Sequence, residues 1–298
     1  MKTIYLDCSM GAAGDMLMAA LYELLPEKEA FFEKMNALGL PGITLSAEPS
    51  VKCGITGTHM RVLVHGEEEG AAHAHTHGHS HDNEREHTHA GLHEIEHRIS
   101  HLALSETVRE NVLAVYRSIA DAESRVHGVP VDEIHFHEVG SLDALADVTG
   151  VCLLFEMLAP EQVLCSPVHV GSGQVRCAHG ILPVPAPATA RLLEGIPVYG
   201  GSIRGELCTP TGAALLRRFV TRFGAMPPMC MEKCGYGMGT KDFEAANCVR
   251  AIWGQTLASG GQITELACNL DDMTPEDVGF AMERLFEGGA LDVYTTPV

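Results

Sequence analysis

The sequence lacks the features of several common classes of protein. No apolar run reaches the length of a membrane-spanning helix, because the most apolar stretch, VCLLFEMLA, is short and contains Glu156. The amino-terminal MKTIYLDCSM has no apolar segment of the secretory type, so we expect a cytoplasmic protein. The ten cysteines include no CxxC pair, which indicates reduced thiols and not a disulfide framework.

Basic residues are also scarce. The formal net charge of −19 argues against nucleic-acid binding, because nucleic-acid phosphates require a basic surface. The acidity is compatible with attraction of cations, although most acidic proteins are merely soluble. The 298 residues, 46% of them hydrophobic, suffice for one large domain or two medium ones.

Strand and helix signals alternate along residues 1–257, which predicts a larger amino-terminal α/β domain. Ser105 is the N-cap candidate of one of its helices, and the threonine that begins TPTGAALLRRFVTRFG, Thr209, is that of another. Residues 66–90 interrupt it with Gly, Ala, His and acidic residues, and we expect a flexible His-rich loop because none of these side chains can build a core. ASGGQ, at 258–262, indicates a linker. Residues 263–298 have a βαβ pattern, with Thr274 as the helix N-cap, and predict the incomplete start of a smaller α+β, ferredoxin-like carboxy-terminal domain.

Ten of the seventeen histidines lie between Ala71 and His101. The first of them alternate with other residues, so an extended backbone would place their imidazoles on one side. Neutral imidazole suits Ni, Cu, Zn and Co, and the tract therefore predicts several low-specificity metal sites. The alternative is a solvated linker. The predicted metal ligands of the tract are His73, His75, His77, His79, His81, His87 and His89.

The next segment has helical spacing. His93, His97 and His101 recur every four residues and lie opposite a second stripe, which is apolar. The apolar stripe consists of Leu92, Ile95, Ile99 and Leu102. We predict that His93 and His97 bind metal; exposed polar positions on a packed helix equally need no function.

HFHEVGSLDALAD is the best candidate for a specific site, because it combines two imidazoles with three carboxylates in thirteen residues. Buried carboxylates that face one another are costly without a cation. We predict His135 as a metal ligand and the other four residues as catalytic. Those four are His137, Glu138, Asp143 and Asp147. In the alternative, both Asp side chains are merely exposed, and backbone groups satisfy His135.

YLDCSMGAAGDM places an acidic residue at a strand end and a Gly-rich turn before a helix, an arrangement that suits a phosphate or a metal–phosphate ligand. It has neither the GKS/T of a P-loop nor the dinucleotide GxGxxG. Two further turns, TPTG and GYGMGTKD, are of the same kind. The predicted ligand-binding residues are Asp7, Gly11, Gly14, Asp15, Thr209, Thr211 and Gly212. Such turns are also Gly-rich for packing alone.

Taken together, the motifs resemble a known family. LDCSMGAAGDM, the His-rich insertion, HGVPVDEIHFHEVGSLDALADVTG, VHVGSGQVRCAHGILPVPAPAT, GELCTPTGAALL and GYGMGTKDF occur in the order typical of the LarC family of nickel-insertion proteins. The resemblance covers essentially the whole chain. It implies nickel insertion into pyridinium-3,5-bisthiocarboxylic acid mononucleotide, a CTP-dependent cyclometallation that makes the cofactor of lactate racemase-type enzymes.

The resemblance further implies that the His-rich region supplies nickel and that a complete carboxy-terminal domain binds CTP with Mg or Mn. In some family members that domain is encoded in a second reading frame, so a separately encoded carboxy-terminal part is an expected partner, as is a second copy of the chain in a homo-oligomer. From the chemistry of the residues, we expect the tract to load nickel and HFHEVGSLDALAD to carry the committed step.

Two other functions remain open on sequence alone. A non-catalytic nickel storage or delivery protein would need only the His tract. A divalent-metal hydrolase could be built on the HxHE motif and the Asp143–Asp147 pair.

Overall fold

The computed structural model describes residues 1–68, 90–136, 139–177, 180–257 and 264–296. The chain divides into two units, Met1–Leu257 and Ala258–Val298. None of the described helices combines the length and the apolar character that crossing a membrane requires.

Helices and strands alternate, as the sequence predicted. The helices are α1 Gly14–Leu24, α2 Glu29–Ala37, α3 Leu92–His101, α4 Glu106–His127, α5 Leu142–Leu158, α6 Pro187–Leu192, α7 Pro210–Phe219 and α8 Pro275–Glu287, with a 3-10 turn at Val131–Glu133. The longer strands are β1 Lys2–Asp7, β2 Ile43–Lys52, β3 Ile55–Val64, β7 Gln162–Cys165, β10 Gln174–Cys177, β11 Gly180–Pro183, β15 Met229–Met238 and β16 Cys248–Thr256. The two-residue strands are β4 Glu67–Glu68, β5 Ala90–Gly91, β6 His135–Phe136, β8 Val168–His169, β9 Gly171–Ser172, β12 Val198–Tyr199, β13 Gly205–Glu206 and β14 Arg222–Phe223.

One mixed sheet organises the first unit. Its strand order is β14-β7-β1-β16-β15-β3-β2, and β4 pairs with β3. β1 runs parallel to β7 and antiparallel to β16, while β15 runs parallel to β3. The α/β class is therefore confirmed in the form of a mixed sheet, with the short strands paired in small separate ladders.

Helix α1 is buried on nearly all sides because it lies between the sheet and α5. Two glycines allow the close approach on either side. A β-carbon on Gly237 of β15 would overlap the carbonyl oxygen of Met16, and one on Gly150 of α5 would come within 2.6 Å of Met18 Sδ. The apolar character of α1 thus reflects two covered faces, and its first turn is held in a fixed position.

The packing of β15 against α1 shows that one prediction was wrong. GYGMGTKD was predicted as a Gly-rich, anion-binding turn, but β15 continues to Met238, so Gly235 and Gly237 are strand residues. Because these glycines have no side chain, β15 can lie directly against α1. Local composition does not reveal such a long-range contact. Only the residues after Met238 form the turn.

Helix α3 confirms the two predicted stripes. Its apolar residues are buried, while His93, His97 and His101 are exposed. The residues just before it, Ala90–Gly91, pair with His135–Phe136. Helix α4 follows with Ser105 as its N-cap, as predicted, and the Ser105 hydroxyl accepts a hydrogen bond from the Val108 amide at 3.2 Å.

The second unit contains the predicted helix, α8, and its predicted cap, because Thr274 Oγ1 accepts a hydrogen bond from the Asp277 amide at 3.2 Å. The two strands expected on either side of α8 are not formed within residues 264–296. A strand requires hydrogen bonds to a neighbouring strand, and these residues provide none. Apolar side chains such as Leu266 and Leu291 accordingly remain exposed.

Candidate functional site

The start of α1 and the start of α5 meet at Asp147. A β-carbon on Gly14 would lie 2.6 Å from Asp147 Oδ2, so glycine is required for the carboxyl group to reach this turn. Ala13, the N-cap of α1, has no side-chain cap, and the backbone amide of Asp15 interacts with the Asp147 carboxylate. The two motifs that the sequence analysis treated separately, YLDCSMGAAGDM and HFHEVGSLDALAD, therefore contribute to one site.

Three carboxyl groups, Asp15, Asp143 and Asp147, interact at this point, and we call them the carboxylate cluster. Burial raises the pKa of Asp147 well above its ordinary value, and the charges of the other two raise it further. Burial also raises the pKa of Asp15. Asp147 Oδ1 is buried and has no hydrogen-bond partner among the residues described. Such a cluster requires protons or a cation to compensate its charge.

Two further residues belong to the site and were missed. His59, on β3, lies with Nδ1 3.1 Å from the Met238 carbonyl oxygen, and its charge partly offsets the raised pKa of Asp15. Tyr116, on α4, is fully buried, and its hydroxyl has no hydrogen-bond partner within the described ranges. Burial raises the pKa of Tyr116, and the charges of Asp143 and Asp147 raise it further. His59 lies in a strand and Tyr116 in an amphipathic helix. The spacing of residues in these elements does not predict a functional role for either side chain.

The HxHE segment begins beside the same tyrosine. Phe136 is buried and its ring centroid lies 6.1 Å from that of Tyr116. His135 is exposed on β6, opposite Gly91. His137 and Glu138 lie outside the described residues, so their predicted catalytic roles stay predictions.

The metal ligands predicted in the tract also lie outside the described residues, namely His73, His75, His77, His79, His81, His87 and His89. The flanks of the tract nevertheless pair with two strands of the first unit. Glu67–Glu68 pairs with β3, the strand that carries His59, and Ala90–Gly91 pairs with β6, which carries His135. Each flank thus pairs with a strand that carries a histidine, namely His59 of the site on β3 and the exposed His135 on β6.

The exposed histidines of α3 have acidic and aromatic neighbours. His93 Nε2 lies 3.7 Å from Asp132 Oδ1, and the rings of His97 and His101 are 4.4 Å apart. Across the described ranges, no group of three or more His, Cys, Asp or Glu side chains is arranged to hold a metal ion.

Asp7, predicted to contact a ligand, is instead bound within the sheet. Arg250 lies opposite it on β16 and donates two hydrogen bonds to Asp7 Oδ2, one of them at 2.9 Å from Nε. The Ser9 amide donates to Asp7 Oδ1 at 3.0 Å. Burial would raise the pKa of Asp7, but these hydrogen bonds outweigh it and lower the pKa. Both carboxylate oxygens are therefore engaged.

The remaining predicted residues join the turn before α1 to the start of α7. A β-carbon on Gly11, whose φ is +82°, would overlap the Leu207 carbonyl, and one on Gly212 would overlap that of Ala12. Thr209 is the predicted N-cap of α7 and accepts a hydrogen bond from the Gly212 amide at 3.1 Å. Thr211 lies in the first turn of that helix. These glycines serve close packing, and they bring the amino ends of α1 and α7 together.

A cavity of about 90 Å³ opens beside this junction. Its polar lining includes Asp15, Glu206, Thr209, Thr240, Lys241 and Asn247. Asn247 is buried, donates a hydrogen bond from Nδ2 to the Lys241 carbonyl at 2.9 Å, and accepts one from the Gly239 amide on its own carbonyl at 2.9 Å. The cavity shares Asp15 with the carboxylate cluster.

Comparison with known proteins gives a consistent result. A family model described as "Nickel insertion protein" matches residues 4–298. The chain is similar to pyridinium-3,5-bisthiocarboxylic acid mononucleotide nickel insertion proteins from several bacteria. Identity is 42% for that of Clostridium kluyveri, 38% for one from Desulfitobacterium hafniense and 36% for that of Geobacillus kaustophilus. The matches cover 99–100% of this chain and 70–74% of those relatives. No solved structure matches the chain.

Proposed function

The chain belongs to the nickel insertion protein family, and from that premise we propose that the carboxylate cluster is where nickel enters the substrate. The protein is a nickel chelatase that acts on pyridinium-3,5-bisthiocarboxylic acid mononucleotide. Nickel and the mononucleotide are both substrates of this reaction.

The observation that supports this location is the concentration of acidic groups at the start of α1 and α5. Asp147 Oδ1 is buried without a hydrogen-bond partner among the described residues, and burial, followed by the charges of Asp15 and Asp143, raises the pKa of its carboxyl group. A dication entering here would remove the repulsion, so the cluster attracts nickel while it has no strong ligand set of its own. Weak binding suits a site that passes the metal on.

The chemistry of the proposed step is a cyclometallation. A nickel–carbon bond forms at the ring carbon between the two thiocarboxylates, the carbon–hydrogen bond breaks, and the ring proton passes to a carboxylate. Asp147 is the proposed acceptor: entry of nickel displaces the proton that the raised pKa keeps on the cluster into solvent, and the carboxylate so formed is a stronger base than an ordinary one. Asp143, His137 and Glu138 are the proposed partners of this base.

Delivery of nickel is the proposed role of the His-rich tract. Its flanks pair with β3 and with β6, and these strands carry His59 and His135. Nickel released from the tract would thus enter near the carboxylate cluster. His93 and His97 on α3, which begins directly after β5, are proposed as intermediate ligands.

CTP dependence rests only on the resemblance to the family. The described residues 264–296 do not fit a nucleoside triphosphate, because their one basic side chain, Arg284, pairs with Glu287 at 2.6 Å. We therefore assign no step of the insertion to CTP or to Mg or Mn in this chain.

An isotope experiment tests the proposal. The full chain is incubated with nickel and with mononucleotide that carries deuterium on the ring carbon between the thiocarboxylates, with and without CTP and magnesium. Mass spectrometry should show a product that has gained nickel and lost the deuterium. A nickel adduct that retains the deuterium would indicate simple chelation and would overturn the proposed step.

A pair of variants then tests the location. Asp147→Asn should lower the insertion rate at least about 100-fold, because it removes the base while keeping the size of the side chain. Asp121→Asn is the matched control, since Asp121 is an exposed carboxylate of α4 paired with Arg125 at 3.1 Å. Equal rates for both variants would remove Asp147 from the reaction.

A further inference from the structure

We propose that Lys241 binds the phosphate of the mononucleotide in the cavity that it shares with Asp15. This inference rests on the proposed function, since it assumes that the mononucleotide is the substrate. It assigns a specificity-determining contact to a residue of the GYGMGTKD motif that was not among the predicted ligand-binding residues.

The cavity is lined by charged side chains of both signs. Among the described residues of the lining, Lys241 is the one cationic side chain, beside the carboxyl groups of Asp15 and Glu206. Its side chain is exposed and makes no ion pair with any described residue. Lys52, near the same loop, differs in this respect, because its Nζ lies 2.6 Å from Asp242 and 3.2 Å from the Thr240 carbonyl oxygen. Lys241 is therefore available to a ligand anion, and Lys52 is not.

The backbone that carries Lys241 is held on both sides. Asn247 is 5% exposed and donates to the Lys241 carbonyl at 2.9 Å, while Lys52 donates to the preceding Thr240 carbonyl. A buried amide that fixes an otherwise solvent-facing loop reduces the entropy lost when the lysine meets its ligand. Asn247 is accordingly a positioning residue for Lys241.

Neighbouring groups add neutral donors. Thr240 lines the cavity, and Thr209 marks the amino end of α7, where the helix dipole favours an anion. The cavity volume of about 90 Å³ suits a group of phosphate size and is too small for a whole nucleotide. Only one end of the substrate would enter here.

The substrate has the complementary distribution of charge. It carries an anionic phosphate and a cationic pyridinium ring, and the lining offers an ammonium group together with carboxyl groups. With its phosphate at Lys241, the mononucleotide would direct the ring towards Asp15 and the carboxylate cluster. A metal-delivery protein without a nucleotide substrate would have no use for such an arrangement.

The experiment compares the mononucleotide with the same compound lacking its phosphate. Calorimetry without nickel gives the dissociation constants for the full chain, for Lys241→Gln, and for Lys34→Gln as a control on the exposed face of α2. Lys241→Gln should weaken mononucleotide binding roughly tenfold or more and leave binding of the dephosphorylated compound unchanged. The control should change neither value. Equal effects of Lys241→Gln on the two compounds, or no effect on either, would overturn the proposal.

The role of Asn247 is tested by a double-mutant cycle. Asn247→Ala should weaken mononucleotide binding in the wild-type background and add little in the Lys241→Gln background, because it acts through Lys241. In turnover, both variants should raise KM with little change in kcat. Additive losses, or losses with the dephosphorylated compound, would assign Asn247 a purely structural role.

The two hypotheses fail in different ways. If the wild-type chain yields the nickel product but Lys241→Gln does not discriminate between the two compounds, the phosphate site is wrong and the proposed function stands. If the mononucleotide binds with the expected dependence on Lys241 but no product that has lost deuterium forms, the proposed nickel-insertion step is wrong.

Discussion

Asp147 of α5 lies against Gly14 in the first turn of α1, and a β-carbon on Gly14 would be only 2.6 Å from Asp147 Oδ2. The contact places a carboxylate where a capping side chain or a bound anion would otherwise meet the free amides of the helix. Burial raises the pKa of both Asp147 and Asp15, and the charge of Asp15 raises the pKa of Asp147 further. The arrangement connects the glycine-rich turn with the acidic helix.

Gly14→Ala should therefore impair activity through Asp147. The new methyl group would lie 2.6 Å from the Oδ2 of Asp147 and 2.8 Å from its β-carbon, so the side chain and the adjoining turn of α5 have to shift; we expect the fold to persist, with a loss of stability of about 1–3 kcal/mol. The nickel-insertion rate should fall at least about tenfold, because the base loses its position. Gly279→Ala, in α8, is the control: nothing lies near its β-carbon, and alanine favours helix there. Thermal unfolding together with the insertion rate separates the two effects, and unchanged activity in Gly14→Ala would show that the position of Asp147 is unimportant.

The pH dependence of stability should reveal the raised pKa of Asp147. A group with a raised folded-state pKa binds its proton more tightly in the folded chain, so its contribution is complete below the ordinary value of 3.8 and is lost as pH rises through the raised value. Asp147→Asn has no such proton to lose. In urea, the free energy of unfolding of the variant should increase relative to that of the wild type as pH rises above about 4. The increase should be up to about 1.4 kcal/mol for each pH unit. A constant difference across this range would contradict the raised pKa.

Asp7 contributes to stability with the opposite pH dependence. Its lowered pKa means that its contribution is present at neutral pH and is lost as the solution becomes acidic. Because the wild type and Asp147→Asn share the Asp7–Arg250 pair, this effect cancels in their difference. The comparison therefore reports on the carboxylate cluster and not on Asp7.

Local signals explain what the sequence could predict. Ser105, Thr209 and Thr274 were expected to cap helices, and each accepts the expected hydrogen bond, because a cap involves only neighbours in the chain. The two stripes of α3 were predicted for the same reason, since helical periodicity is itself local. The alternation of helices and strands in the first unit also followed from such patterns, with the exception of β15.

Long-range packing explains what could not be predicted. Gly235 and Gly237 resemble a loop by composition, and only their contact with α1 makes them strand residues. Asp7 was expected to face a ligand, but the antiparallel register of β1 and β16 places it opposite Arg250. His59 and Tyr116 gave no signal, because their role arises from carboxyl groups on other elements. The candidate site was thus predicted in its acidic residues but not in their partners.

The His-rich tract should govern the supply of nickel and not the reaction itself. We expect a variant with His73, His75, His77, His79 and His81 all changed to Gln to bind fewer nickel ions in calorimetry and to insert nickel slowly when the metal is scarce. Excess nickel should restore the wild-type rate, because the carboxylate cluster is intact. A loss of activity that no nickel concentration restores would favour a protein whose function resides entirely in nickel handling.

Tyr116→Phe should make the protein more stable and less active. The Tyr116 hydroxyl is fully buried and has no hydrogen-bond partner in the described part of the chain, and an unpaired buried hydroxyl costs about 1–3 kcal/mol. Removing it should raise the free energy of unfolding by a fraction of that amount, measured in urea. A destabilising group beside Asp143 and Asp147 is expected to contact the substrate complex, so the insertion rate should fall roughly tenfold. A gain in stability with full activity would show that the hydroxyl takes no part in the reaction, whereas a loss of stability would mean that it has a structural partner in the folded chain.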